Sequence, residues 1–321
     1  MRTIDEATLA REIITADDPL GVLFAALNQV WRTDDVDDVN TFFIRREREI
    51  NRLERFVLET FFDVSDLLLA QVRQGRGQSR FEGATGPIII LDGCSIREAN
   101  LLIGRLQEAG YQVTEYSYAL SEVPSGTLAF NRSAFGTARV ASLRQWRQYQ
   151  VISIESGQLP ALFPAEPEVL IWISYPDELL HKVQGEAVTP QEAFDKTAKV
   201  LLDTLDGLET DGFFVTSDHG YLYVENATLF WKASGDDEKV LRQLFGGRRT
   251  VPAGDVGPQF DRLRQVPKPR TYALFDDEGC YVRGRYHWSV QGPASDIVHG
   301  GLSLMECLVP VMSVRRLEKN M

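Results

Sequence analysis

Apolar side chains recur mostly at three- and four-residue steps through Phe43, Ile50, Leu53, Val57, Phe61, Val64 and Leu68, which places them on one helical face. Arg45, Arg46, Glu47, Arg48 and Glu49 supply charge between them, and no proline interrupts the stretch after Pro19. Residues 1–80 therefore read as an N-terminal helical region. The segment GRGQSRFEGATG, rich in glycine and polar residues, reads as a linker. A continuous apolar run, Ile88-Ile89-Ile90-Leu91, follows and ends in Asp92; its length suits a strand buried on both faces. From Pro87 the pattern alternates. Strands are expected at 87–92, 112–117, 169–174 and 212–217, with later ones near 271–275, 281–287 and 307–315. Helices fill Ile96–Ala109, Leu128–Ser133, Ala138–Tyr149, Pro190–Leu208 and Asp237–Leu244. This alternation predicts an α/β fold, a mainly parallel sheet with helices on both faces, in a second domain spanning 86–315.

Composition narrows the class. With 44% hydrophobic and 25% charged residues the chain can bury a sizeable core. Its apolar runs are too short to cross a bilayer, and the opening MRTIDEATLAREII mixes acids with bases, so a cytoplasmic protein without a membrane partner is expected. Cys94, Cys280 and Cys307 form no C-x-x-C pair and read as small buried residues. The net charge of −12 disfavours broad nucleic-acid binding without excluding it, because phosphate can meet a bound cation. Arg132, Arg139, Arg144, Arg147, Arg248, Arg249, Lys268, Arg270, Arg283 and Arg285 are local basic groups, each read as a solvated face or helix-end charge.

Three of the four histidines stand in metal-ligand patterns: Asp177-x-x-x-His181, Asp218-His219-Gly220 and His299-Gly300-Gly301. An Asp and a His one helical turn apart can share an ion, and imidazole with carboxylate suits zinc or manganese. Asp92 brings the set to six, enough for two divalent ions with coordination positions left open. Asp92, Asp177 and Asp218 all fall at or just past expected strand ends, where open α/β sheets bind ligands. His287, between aromatics, reads as structural. Ser95-Ile-Arg-Glu98 is a capping-box pattern, so the Ser95 hydroxyl is assigned to a helix cap.

Four blocks, IIILDGCSIRE, VPSGTLAFNRSAFG, SYPDELLH with VTSDHGY, and HGGLSLMECLVPV, resemble in their order the alkaline phosphatase superfamily, and in their wording its PglZ branch, associated with phage defence. The resemblance covers roughly Pro87 to Val311. It implies that Asp177, His181 and His299 hold one ion and that Asp92, Asp218 and His219 hold the other. It also implies a nucleophilic hydroxyl at the start of the helix after the second strand, with Thr127 preferred and Ser125 second; Asn131 and Arg132 could hold a phosphate oxygen. A sulfatase is disfavoured because no C/S-x-P-x-R run occurs, and a phosphomutase because little room remains for an inserted domain. The implied activity is a two-metal phosphodiesterase or nuclease acting on nucleotide or nucleic-acid diesters. The alternative is a catalytically dispensable scaffold that docks other defence proteins. The N-terminal helices could pair with a second copy or cover the sheet. Tyr221 is expected to pack near the site without doing chemistry, Glu306 reads either as support for His299 or as an ordinary surface carboxylate, and Glu178 is expected to face water.

Overall fold

The computed structural model describes residues 5–32, 38–61, 63–75, 78–183, 188–224, 229–233, 235–258, 272–288 and 297–318. Four helices come first: α1 (Glu6–Thr15), α2 (Pro19–Trp31), α3 (Val39–Thr60) and α4 (Val64–Arg73). Asp5, Asp18 and Asp38 cap the first three, each carboxylate accepting amide hydrogens of the opening turn.

The sheet region follows as β1 (Ile88–Leu91), α5 (Ile96–Glu108), β2 (Tyr111–Leu120), α6 (Thr127–Phe135), β3 (Gln145–Trp146), β4 (Tyr149–Ile154), β5 (Val169–Ile173), α7 (Asp177–Val183), α8 (Pro190–Gly207) and β6 (Gly212–Ser217). Short pieces β7 (Leu222–Tyr223) and β8 (Trp231–Lys232) lead to α9 (Gly235–Phe245), β9 (Thr250–Pro252), β10 (Ala273–Phe275), β11 (Gly279–Val282), β12 (Tyr286–His287) and β13 (Ile297–Val298). The last elements are α10 (Leu304–Cys307) and β14 (Leu308–Arg316).

Seven strands form the main sheet in the order β2-β14-β6-β1-β5-β4-β3. β1 pairs in parallel with β5 and β6, and β4 in parallel with β5; β14 runs antiparallel between β2 and β6, and β3 is antiparallel to β4. Alternation along the central strands divides the core. Ile89, Leu91, Ile171, Ile173 and Val215 join one large cluster with α5, α8 and the N-terminal helices, whereas Ile88, Ile90, Leu170, Trp172 and Phe214 pack with Phe81 and Phe130. Helices thus cover both faces, as the alternating pattern predicts. The N-terminal helices bury their apolar stripes within the chain: Phe24 lies 5.3 Å from both Tyr116 and Tyr118 on β2. A small antiparallel sheet, β10-β11-β9, has its own core with α9 and Trp288.

Three readings need correction. The helix expected over Ala138–Tyr149 is instead a short 3-10 turn at Val140–Ser142 followed by the β3–β4 hairpin; Tyr149 and Val151 point inward while Gln150 stays exposed, a two-residue period. The expected strand over 281–287 is broken at Gly284, whose φ of +46° turns the chain. The polar segment read as a linker carries Arg80 and Phe81 into the interior.

Candidate metal and phosphoester site

Three adjacent strands deliver the carboxylates. In the order β6-β1-β5, Asp218 follows the first, Asp92 the second and Asp177 the third, all at carboxyl ends. The Asp92 amide donates to the Ile173 carbonyl (2.9 Å) and its carbonyl accepts from the Asp177 amide (3.0 Å), so the two loops are stitched together. The Gly93 amide donates to Asp218 Oδ1 at 2.9 Å. Gly93 has a φ of +72°, and a Cβ there would lie 2.9 Å from that of Asp177; the carboxylates approach only because this residue has no side chain.

Asp177 opens α7, which puts His181 one turn on with Nε2 at 3.2 Å from Asp177 Oδ2. His219 Nδ1 stands 3.0 Å from the Gly220 carbonyl and His299 Nδ1 3.1 Å from the Ser125 carbonyl. A carbonyl only accepts, so both Nδ1 atoms carry a proton and each Nε2 is the nitrogen turned toward the cluster, the arrangement of an oriented metal-binding imidazole. The two rings stack with centroids 4.4 Å apart, and His181 meets His299 edge-on at 6.0 Å.

Thr127 completes the cluster. Gly126 is the N-cap of α6 and no side chain caps the helix, so capping does not account for the Thr127 hydroxyl. It lies 2.9 Å from Asp92 Oδ1, to which it donates, and 3.1 Å from His219 Nε2. Ser125 is otherwise engaged: its buried hydroxyl receives the Gly300 amide at 2.9 Å and donates to the Gly301 carbonyl at 3.2 Å, tying down the His-Gly-Gly loop. Ser95 and Glu98 form the expected capping box at the head of α5.

Two triads, Asp177-His181-His299 and Asp92-Asp177-His219, each have ligand atoms within 4.8 Å of one another. The first matches the set expected for one ion. In the second Asp177 takes the place expected for Asp218, so one carboxylate serves both groups. Asp218 stands alongside, Oδ2 3.6 Å from His219 Nε2. Asp177 Oδ1 and Asp218 Oδ2 are buried and accept no hydrogen bond from a described residue. An orphaned carboxylate oxygen in the interior is costly unless a cation meets it, so these donors fit the divalent ions implied by the residue pattern. The cluster is graded in depth: Asp218 and His219 are sealed, whereas His181 and Thr127 reach the surface.

Electrostatics follow this geometry. Burial, with the charges of Asp218 and Asp177, pushes the Asp92 carboxyl up. Burial opposes ionisation of Asp177 too, but the hydrogen bond from His181 and the neighbouring imidazoles outweigh it and hold the carboxyl at about 2. Burial and the adjacent His219 lower His299.

Behind the ligands lies a buried ionic lattice that sequence reasoning missed. Arg97 pairs with Glu47 of α3 at 2.7 Å, and Arg285 pairs with Glu47 at 2.6 Å and with Glu54. Glu54 accepts the Leu304 and Met305 amides of α10, and Tyr221 donates to Glu98 at 2.5 Å. Arg249 holds both oxygens of Glu306 at 2.9 Å, and Glu306 also accepts the Gly301 amide beside His299. Arg249, Arg283 and Arg285 are therefore interior groups, not solvated charges. Glu47 and Glu54 fall on the stripe of Phe43, Ile50 and Val57, a signal that could have exposed them as buried. Arg80, hydrogen-bonded to the Ser217 and Leu120 carbonyls, is another; burial pulls its guanidinium down to about 10 against the charges of Glu122 and Asp218.

The remaining expectations resolve simply. His287 stacks on Phe230 at 4.1 Å, outside the cluster. Glu178 faces no imidazole; it binds Ser156, Ser174 and Lys182, locking the loop after β4 onto α7. All three cysteines are free and buried. Lys268 and Arg270 lie outside the described residues.

Residues 148–314 match the family model described as the BREX system PglZ alkaline phosphatase-like domain. The chain belongs to the PglZ family. The match takes in Asp177, His181, Asp218, His219 and His299, while Asp92 and Thr127 precede it. Among solved structures, the PglZ chain is similar to phosphonoacetate hydrolase from Sinorhizobium meliloti 1021 in complex with phosphonoformate, at 13% identity over 74% of this chain and 91% of that one, with a TM-score of 0.37. The same enzyme in complex with phosphonoacetate matches at 14% identity over 77% and 68%, with a TM-score of 0.25. No curated protein matches the chain. No helix among the described residues is long and apolar enough to cross a membrane.

Proposed function

We propose that this PglZ domain is a two-metal phosphoester hydrolase, acting on phosphodiesters, with Thr127 as nucleophile. One observation carries the reading: a hydroxyl at the head of a helix with no side-chain cap touches both Asp92 and His219 inside a cluster of buried carboxylate oxygens and imidazole nitrogens. Asp177, His181 and His299 would hold one ion and Asp92, Asp218 and His219 the other, with Asp177 between them. Zinc or manganese suits the donors, and when bound the ions supply positive charge to the phosphate and ease ionisation of the hydroxyl.

The chain does the rest. Asp92 aligns the Thr127 hydroxyl, and the first amides of α6 face an incoming phosphate. Thr127 Oγ1 gives up its proton and forms the new bond to phosphorus as one ester oxygen leaves with its electron pair and takes up a proton; water then cleaves the threonyl phosphodiester intermediate, releasing the phosphate monoester and restoring the hydroxyl. We place the protein in the cytoplasm within a phage-defence system, a role supported by the BREX designation of the family.

The test compares bis(nitrophenyl) phosphate with nitrophenyl phosphate, each with zinc or manganese. The diester should turn over faster, and Thr127→Ala and Asp218→Ala should each lose roughly a thousandfold or more while staying folded. Wild-type turnover in both variants would leave the scaffold alternative standing.

A further inference from the structure

From Val123 to Ile154 the chain contains no Asp or Glu, although it carries 46 acids against 34 bases overall. The only charges there are Arg132, Arg139, Arg144 and Arg147, all exposed, and none is in an ion pair with a described residue. The fold gathers them. Trp146 of β3 donates from Nε1 to the Ala134 carbonyl at 3.0 Å and packs edge-on against Phe135 at 5.3 Å, so the β3–β4 hairpin docks on the last turn of α6. Arg147, at the hairpin tip with φ of 52°, lies over the Trp146 ring at 4.4 Å. Exposed glutamines Gln145, Gln148 and Gln150 fill the gaps with neutral hydrogen-bonding groups. Two exposed acids stand at its border: Glu82, next to the Phe81 that packs on Trp146, and Glu168, whose carbonyl accepts the Gln150 amide at 2.9 Å.

A helix nine residues long spans on the order of 13 Å, and α6 begins at Thr127 and ends against the patch. We propose that this arginine surface, from α6 to the β3–β4 hairpin, binds the phosphate backbone of a nucleic-acid strand whose scissile diester reaches Thr127. The inference rests on the hydrolase reading for its substrate and on charge for its partner. On an otherwise acidic protein, four exposed guanidiniums in no ion pair with a described residue, along a segment without carboxylates, select a polyanion, and alignment with the nucleophile's helix selects a polymeric phosphodiester.

The test measures binding of a fluorescein-labelled oligothymidylate in EDTA, where no turnover occurs, across a salt series. For the triple variant Arg139→Gln, Arg144→Gln, Arg147→Gln, affinity should fall roughly tenfold or more and the log–log salt slope should become shallower by about two. A control variant, Arg11→Gln, Arg52→Gln, Arg242→Gln, makes the same charge change at exposed arginines elsewhere and should bind like wild type. Equal affinity and slope in the patch variant, equal loss in the control, or patch-dependent binding of phosphatidylglycerol vesicles in place of the oligonucleotide would each overturn the proposal. Patch-dependent binding by a wild-type protein that hydrolyses no diester would keep the surface and remove the hydrolase reading.

Discussion

Replacing Asp92 by Asn should make the metal-free protein more stable while destroying its response to metal. Asp92 and Asp177 have oxygens within 4.8 Å of one another, and at an effective dielectric of about 20 two such charges repel by about 3 kcal/mol. Asp218 adds to that repulsion, as the raised Asp92 carboxyl indicates. Asn keeps the oxygen that receives the Thr127 hydroxyl, so the substitution removes charge and little else. Unfolding entropy near 2.1 cal/mol/K per residue makes ~3 kcal/mol worth about 4–5 °C in a chain of 321 residues. Wild type should gain stability on loading, about 4 kcal/mol at a thousandfold excess over Kd. The assay is thermal unfolding of both proteins after chelation and after reloading with zinc or manganese. The variant should melt higher than wild type when stripped and lower when loaded. A variant that melts lower by the same margin in both states would refute the reasoning, because Asp92 would then be an ordinary structural hydrogen-bonding residue.

Thr127→Ser should retain measurable diesterase activity where Thr127→Ala does not, read by phosphate-ester turnover, because only the hydroxyl reaches Asp92 and His219. Glu178, held at about 2 by Lys182, Ser174 and Ser156 against its burial, contributes stability that is present above its ordinary value of 4.5 and lost as pH falls through about 2. Glu178→Gln should therefore cost about 2 kcal/mol at neutral pH after allowing for solvent screening, and almost nothing near pH 2, by urea titration at each pH. Arg285→Met leaves the buried Glu54 without a cation and Glu47 with Arg97 alone, and should cost about 3–5 kcal/mol in the same assay. Gly93→Ala should weaken metal binding by calorimetry, since its Cβ would press on Asp177.

The local parts of this architecture were readable in the amino-acid order, and the long-range parts were not. Ile88–Leu91 announces a buried strand, and the ligands sit in short motifs at strand ends, so their convergence follows from the alternating pattern. Ser95 and Glu98 likewise declare a cap within four residues. No local pattern reveals that Asp177 lies between two ligand groups, because that depends on the backbone bond joining its loop to that of Asp92. Arg249 and Arg285 resemble any surface cation until Glu306 and Glu54, distant in the chain, are brought against them. The β3–β4 hairpin was misassigned because the Arg and Gln side chains of 144–150 suit a solvated helix, and only the inward Tyr149 and Val151 disclose the two-residue period.

The position of β14 governs when the molecule can assemble. Residues 308–316, synthesised after everything else in the sheet, occupy an interior lane, zipped to β2 on one side and β6 on the other. Until they leave the ribosome, β2 has no route into the sheet and both flanking strands offer bare edges to other chains. Closure of the sheet thus waits for residues 308–316, and a nascent chain stalled short of Leu308 would expose both edges and be a substrate for chaperones.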